Sequence, residues 1–279
     1  MLMGEFSNNF FQSNDLNLHY INYKTNAHKP LIMLHGMRSY AQAWNDVADQ
    51  LLNFFDVYAL DQRGRGESDW APDYNYDTEA YVDDLTNFIK TKGFNKLSLM
   101  GHSMGGSNSI VFASKNPEMV ESLVIVDIGP SVSTSLGGKR INQELSDTPK
   151  EFESLEDVKI FWRKQRPSIS EHALNERVNF TIKQLESGKY GFKWDVQGIA
   201  KAKIRADGEY MWDCVRKIKC PTLLIRGAES DILQHDVATQ MIKENHNIAL
   251  IEIPDATHYV HDDQLELFNR EVGMFYQRI

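Results

Sequence analysis

A chain of 279 residues with 42% hydrophobic residues and a mean hydropathy of −0.45 has room for one large domain, or for a core carrying an insertion, around a sizeable buried interior. Thirty basic against thirty-nine acidic residues leave a net charge of −9, which sets the chain against nucleic-acid phosphates, and no apolar run approaches the roughly 20 residues of a membrane-crossing helix. Met1 to Ser7 lack a basic region leading into an apolar stretch, so the expected location is cytoplasmic.

Phe10 to Gln12 and Leu16 to Tyr23 alternate in strand fashion around Ser13-Asn14-Asp15 and predict an N-terminal hairpin. After Pro30, Leu31-Ile32-Met33-Leu34 is a continuous apolar run, the pattern of a strand covered on both faces, and it ends at His35-Gly36-Met37-Arg38. A helix over 44–52 and a strand over 56–60 follow, then Asp61 to Ser68. The G-x-G inside that stretch lacks the third glycine and the helix of a dinucleotide loop, so it reads as a tight charged turn shaping the floor of a site. Thr78 is placed to cap a helix whose Tyr81, Val82, Leu85, Phe88 and Ile89 form an apolar stripe closed at Gly93.

Leu97 to Gly106 predicts a strand, a sharp turn and a helix, with Ser103 between Gly101 and Gly105. A serine hydroxyl is a poor nucleophile unless it is held out of the backbone beside a base and beside donors for the developing oxyanion. The two glycines let strand and helix crowd together, and the helix starting at Met104 points its free N–H groups at the same spot. Leu123-Val124-Ile125-Val126 is a further buried strand, ending in Asp127-Ile128-Gly129-Pro130.

From Ser131 the periodicity turns helical. Residues 131–213 hold 14 basic and 13 acidic residues, so the acidic excess lies in the flanks. Ser154 is placed to cap a helix carrying Leu155, Val158, Phe161 and Trp162, and a second helix is predicted from about Glu171 to Glu186. The strand pattern resumes with Pro221 to Gly227. A helix over 236–243, a strand over 248–253 and a helix over 264–276 complete the chain. Cys214 and Cys220 fit no C-x-x-C or metal pattern and read as small buried fillers. The reading is therefore an α/β chain with a doubly wound, mostly parallel sheet: a core from 1–130 and 214–279, and a helical insertion over 131–213.

A serine nucleophile needs a histidine base and an acid that fixes the imidazole tautomer. Asp231, in Gly227-Ala228-Glu229-Ser230-Asp231, and His258, in Pro254-Asp255-Ala256-Thr257-His258, each stand a short loop beyond a strand, and Ser, Asp, His is the order of hydrolases built on the G-x-S-x-G turn. Asp127 is a rival acid, otherwise a cap on its turn. His261 is a rival base, otherwise a helix-start histidine. The run His258 to Asp263 has neither an H-x-H nor an H-E-x-x-H pattern, and no metal is assigned to it. Arg38, beside the strand end at His35-Gly36, either meets a polar substrate group or is an ordinary surface arginine. Phe161, Trp162, Trp194 and Trp212 either line an apolar pocket or form the insertion's own core.

On His35-Gly36, Asp61 to Ser68, Gly101 to Gly106, Gly227 to Asp231 and His258, the chain resembles the α/β-hydrolase fold family, in the branch of serine esterases and lactonases with a helical cap. The resemblance implies an eight-stranded sheet, Ser103 as nucleophile, His258 as general base and acid, Asp231 as orienting acid, and an oxyanion hole from the backbone N–H groups of Met37 and Met104. Arg38, Phe161 and Trp162 are the expected substrate contacts. Thr257 departs from the glycine that many relatives carry before the histidine, and the serine at the turn sets aside the dehalogenase and epoxide-hydrolase relatives. The implied activity is hydrolysis of small to medium carboxylic esters through an acyl-enzyme. Lactone or carbon–carbon bond cleavage by the same triad is the alternative, and a non-catalytic ligand sensor the alternative of another class. No metal, nucleotide or organic cofactor is implied; the expected partner is a small-molecule ester or lactone, with a homodimer left open.

Overall fold

Successive side chains of the apolar strands enter opposite faces of one sheet, and both faces are covered. In the computed structural model, which describes residues 6–23, 29–201 and 208–279, β1 (Phe6–Ser13) and β2 (Leu16–Tyr23) form the hairpin. β3 (Pro30–Leu34), α1 (Asn45–Leu51), β4 (Asp56–Leu60), α2 (Thr78–Lys92), β5 (Leu97–His102), α3 (Met104–Lys115) and β6 (Val120–Val126) follow. Leu31 and Met33 join a core cluster with Trp44, Val47, Phe268 and Val272, whereas Ile32 and Leu34 join the cluster of Leu85, Phe88, Ile110 and Phe112. A strand buried on both sides has no solvent face to mark with polar residues, hence the unbroken apolar run.

Beyond β6 come α4 (Leu136–Ser146), α5 (Leu155–Gln165), α6 (Glu171–Thr181), the short strands β7 (Ile182–Gln184) and β8 (Tyr190–Phe192), α7 (Val196–Lys201) and α8 (Gly208–Lys217). The chain then resumes the sheet with β9 (Thr222–Gly227), α9 (His235–Glu244) and β10 (Ile248–Ile253), and ends in α10 (Val260–Asp263) and α11 (Leu265–Arg278). The eight main strands run in the order β1-β2-β4-β3-β5-β6-β9-β10. Only β2 opposes its neighbours; every other pairing in that series is parallel. Because β6 and β9 are parallel hydrogen-bonded neighbours, the intervening segment leaves the sheet at the carboxyl end of β6 and returns through α8 to the amino end of β9.

Three local expectations shift. The α2 cap is Asp77, one residue before Thr78, accepting from the Ala80 N–H at 3.0 Å. The helix predicted to run to Glu186 stops at Thr181. There the chain turns into a two-stranded hairpin closed by Gly188 at φ 83°, with the Leu185 N–H donating to the Lys189 carbonyl at 2.8 Å. The predicted boundary at Asp213 falls inside α8, whose Met211, Trp212, Cys214 and Val215 are buried in the main core. Residues 1–5, part of the Met1 to Ser7 stretch on which the location expectation rests, lie outside the described residues. Among the described residues, no helix is long and apolar enough to cross a membrane.

Candidate active site

Ser103 stands between β5 and α3 with φ 53° and ψ −120°, a left-handed backbone that costs an L-residue about 1–3 kcal/mol. The glycines make this turn feasible. A Cβ on Gly101 would come within 2.3 Å of the Gly105 carbonyl oxygen, and one on Gly105 within 2.1 Å of the Leu34 carbonyl oxygen, so strand, helix and the neighbouring β3 meet backbone to backbone. The Ser103 N–H donates to the Val126 carbonyl at 2.9 Å, which ties the turn to the end of β6.

The imidazole expected to serve Ser103 is oriented by a different carboxylate from the one predicted. His258 Nδ1 lies 2.7 Å from Asp127 Oδ2, with both side chains almost wholly buried. Asp127 is itself left-handed, at φ 51°, at the end of β6. Its Oδ1 accepts from the Gly227 N–H at 2.9 Å, and its Oδ2 accepts from the Ser230 hydroxyl. The loop after β9 therefore serves this site through Gly227 and Ser230.

Asp231, predicted as the orienting acid, turns instead toward the inserted segment. Its side chain is 38% exposed and receives a forked pair of bonds from Arg140 on α4, Nε at 2.8 Å and Nη2 at 3.0 Å. Partial burial pushes its pKa up, but the Arg140 guanidinium outweighs burial and holds it below the ordinary aspartate value.

The loop carrying His258 is fixed from below. His102 Nε2 lies 2.8 Å from the His258 carbonyl oxygen, and deep burial, reinforced by the neighbouring His258 and His261, lowers the His102 pKa well below its ordinary value. His102 is thus the neutral tautomer donating from Nε2. His261, the rival base, stacks on Trp44 at 4.8 Å between ring centroids and has its flanking Asp262 carboxylate no nearer than 3.8 Å. Thr257 donates its N–H to Asp263 at 2.9 Å. It is absent from the non-glycine residues with positive φ, so the position does not require the glycine of many relatives.

Met37, at the turn after β3, and Met104, the first residue of α3, flank Ser103. Arg65 from the charged turn is 1% exposed and holds this corner: Nε donates to the Met37 carbonyl at 3.0 Å, Nη1 to the Arg63 carbonyl at 2.9 Å and to the Tyr81 hydroxyl, and Nη2 reaches Met104 Sδ at 3.4 Å. Met37, Ser103 and Met104 line a cavity of about 280 Å³ whose apolar wall includes Ile128, Ile141, Leu145 and Ile232 and whose polar end includes Tyr76 and Asn108. Ser103, Met37 and Ile141 also border a second cavity of about 20 Å³, lined by Arg38, Arg177, His258 and Tyr259.

Of the predicted substrate contacts, Arg38 lines the smaller cavity, whereas Phe161 and Trp162 line neither. Trp162 is fully buried beneath the Arg38 and Arg177 guanidinium groups, 5.3 and 4.8 Å from its ring centroid, and Phe161 packs edge-on against Phe152 and Phe192. A thin helical layer needs these rings for its own core. Arg65 and Arg177 have no signal in the sequence, because an arginine in a charged stretch carries no sign of burial. Among the described residues, no group of three His, Cys, Asp or Glu side chains is arranged to hold a metal ion.

The family described as the alpha/beta hydrolase fold matches residues 29–265. The chain is 24% identical over 257 residues to a 2-(acetamidomethylene)succinate hydrolase of Mesorhizobium japonicum, covering 91% of each protein. It is 26% identical to a 3-hydroxybutyrate-oligomer hydrolase of Cupriavidus necator over 82% of each. The crystal structure of an E-2-(acetamidomethylene)succinate hydrolase superposes with a TM-score of 0.89 at 23% identity, covering 98% of this chain and all of that one.

Proposed function

Because the chain belongs to the α/β-hydrolase fold family and its relatives are hydrolases, we propose that it cleaves carboxylic esters of small to medium size through an acyl-enzyme formed on Ser103. The observation that supports this most is the single polar layer at the strand ends, in which Ser103 on its strained turn shares a cavity with a His258 held by Asp127 at 2.7 Å.

In this reading Ser103 Oγ attacks the ester carbonyl carbon while His258 Nε2 takes the hydroxyl proton. Asp127 accepts from the Nδ1–H, which fixes the tautomer that leaves Nε2 free as base and stabilises the imidazolium once it forms. The carbonyl electron pair moves onto oxygen, where the Met37 and Met104 N–H groups receive it. When the tetrahedral adduct collapses, the C–O bond to the alcohol breaks and His258 returns its proton to the leaving oxygen. Water then attacks the acyl-serine by the same route and releases the acid. Arg65 holds the Met37 carbonyl, one peptide on from the N–H assigned to the oxyanion, and so restrains the turn that carries that N–H.

Turnover of p-nitrophenyl acetate and butyrate tests the proposal. Ser103→Ala is expected to lower kcat/KM by at least about 100,000-fold, and a fluorophosphonate is expected to label wild type but not the variant. A folded protein that takes no label and turns over no ester overturns the enzyme reading in favour of a sensor. Lactones and vinylogous diketones measured alongside place the bond: a preference of more than about 100-fold for either would replace the ester as substrate class.

A further inference from the structure

The small cavity beside Ser103 carries positive charge that the protein only partly answers. Arg177, on α6, is 4% exposed and lines this cavity with Arg38, His258 and Tyr259. Its Nη1 donates to the Arg38 carbonyl at 3.0 Å. Its Nη2 lies 3.7 Å from the Asp262 carboxylate, beyond a direct hydrogen bond, and its Nε has no acceptor among the described residues. Asp262 is already engaged by Arg166 Nη1 at 2.7 Å, and Asp263 by Arg166 Nη2 at 3.3 Å and by Thr257. Glu144, the carboxylate paired with Arg38, is shared with Arg140, whose Nη1 donates to it at 2.6 Å.

Aromatic faces occupy the places where further carboxylates would be expected. Arg177 lies 4.8 Å from the Trp162 ring centroid and 5.4 Å from that of Tyr259, and Arg166 covers the same tyrosine at 3.6 Å. Burial alone would raise the Tyr259 phenol; Arg38, Arg166 and Arg177 together bring its pKa below the ordinary value. Burial, followed by the adjacent Arg166 charge, lowers that of Arg177. A desolvated guanidinium without a full set of acceptors is costly, and an anion supplied from outside offsets that cost.

Size narrows the choice of anion. A water needs about 10–15 Å³ of such space, so a cavity of about 20 Å³ admits one or two oxygen atoms and excludes an acyl chain. Among the described residues, no Asp or Glu lines it. Ser103, common to both cavities, stands where a polar head in the small one and a longer body in the 280 Å³ one would meet.

We infer that the small cavity is a carboxylate subsite, so that the preferred substrates are carbonyl compounds carrying a carboxylate a few bonds from the scissile carbonyl, bound by the guanidinium groups of Arg177 and Arg38. This rests on the serine-hydrolase reading for the position of the scissile carbonyl. The rest of the substrate extends over Met37 and Ile141 into the larger cavity.

A matched pair of substrates tests it: monoethyl succinate against ethyl 4-methylpentanoate, in which an isopropyl group replaces the carboxylate at similar size, with ethanol release followed for both. Wild type is expected to favour the hemiester by about 10- to 100-fold in kcat/KM, the range of a charge-assisted hydrogen bond. Arg177→Met should bring that ratio close to one, chiefly through KM, and Arg177→Lys should retain part of it because the charge stays while the fork is lost. Equal or reversed preference in wild type overturns the subsite, as does an unchanged ratio in a folded Arg177→Met protein. If Arg177→Met does not fold, the wild-type pair and the lysine variant decide. Calorimetric binding of both compounds to Ser103→Ala separates this from the catalytic reading: tighter binding of the hemiester sustains the subsite even if neither ester is turned over by wild type, and equal affinity overturns it.

Discussion

The ends of β6 and β9 each bring an aspartate to the layer that holds Ser103 and His258, and the two carboxylates live under opposite conditions. Asp127 is wholly buried, sits on left-handed backbone and takes donors from His258, Gly227 and Ser230. Asp231, four residues past the end of β9, is over a third exposed, and its carboxylate is held by Arg140 from the inserted helices. A buried carboxylate is tolerated only with such a set of donors, and once so held it has a single orientation. A half-exposed pair is worth about 0–1 kcal/mol and can open. In the proposed reading, burial and the number of donors, rather than distance along the chain from the histidine, make Asp127 the orienting acid and Asp231 a latch.

The sharpest way to break this comparison is to neutralise each aspartate in turn. Asp127→Asn removes the acceptor that fixes the His258 tautomer and is expected to lower kcat/KM by about 1,000- to 10,000-fold, by the same logic as in serine proteases. Asp231→Asn should cost less than about tenfold. Steady-state kinetics on p-nitrophenyl butyrate reads both, and the reverse order would return the orienting role to Asp231.

The contrast between fixed and adjustable groups extends to the histidines of the strand-end layer. His35, at the end of β3, lies with Nδ1 2.7 Å from the Gly36 carbonyl, and its Nε2 accepts from the Gln62 N–H at 3.1 Å, so only the neutral ring fits. Burial lowers its pKa to about 4, against an opposing pull from Asp61. An unfolded chain protonates this histidine near pH 6.5 and the folded one only near pH 4; between those values the unfolded state holds more protons, so stability falls as the pH drops through that window. The shift corresponds to about 3 kcal/mol. Urea melts of wild type and His35→Asn from pH 7.5 to 4.5 should show a shallower loss in the variant, and parallel curves would remove His35 from the acid sensitivity.

What the sequence carried and what it withheld follow the same division. Strands buried on both faces announce themselves as unbroken apolar runs, and the turn at Ser103 does so through Gly101 and Gly105, because each is a local constraint written in adjacent residues. The acid is not local. Gly227 to Asp231 and Asp127 to Pro130 both look like strand-end loops with an aspartate, and what decides between them is that β6 and β9 pair directly, so that the Gly227 N–H and the Ser230 hydroxyl close on Asp127. Phe161 and Trp162 were legible as an aromatic cluster, but whether aromatic rings line a cavity or fill a core depends on neighbours such as Phe152 and Phe192, which come from other turns of the insertion. Arg177 gave no signal at all, since a buried guanidinium and an exposed one have the same spelling.

The smallest expected effect tests the adjustable side of the comparison. Arg140 joins Asp231 below the insertion to Glu144 on its own helix, and Glu144 in turn pairs with Arg38, so the chain of charges runs from the loop after β9 to the wall of the smaller cavity. With Arg140 37% exposed, solvent and salt screen much of the attraction, and Arg140→Met should lower Tm by no more than about 2–4 °C. Its kinetic effect should be a rise in KM of about threefold, because α4 contributes Ile141 and Leu145 to the larger cavity and loses one tether to the sheet. Raising the salt concentration should narrow the difference between wild type and variant, since it weakens the same pair in the wild type. If Arg140→Met instead costs as much as Asp127→Asn, the Asp231 end of the site is as firmly fixed as the Asp127 end, and the distinction between orienting acid and latch fails.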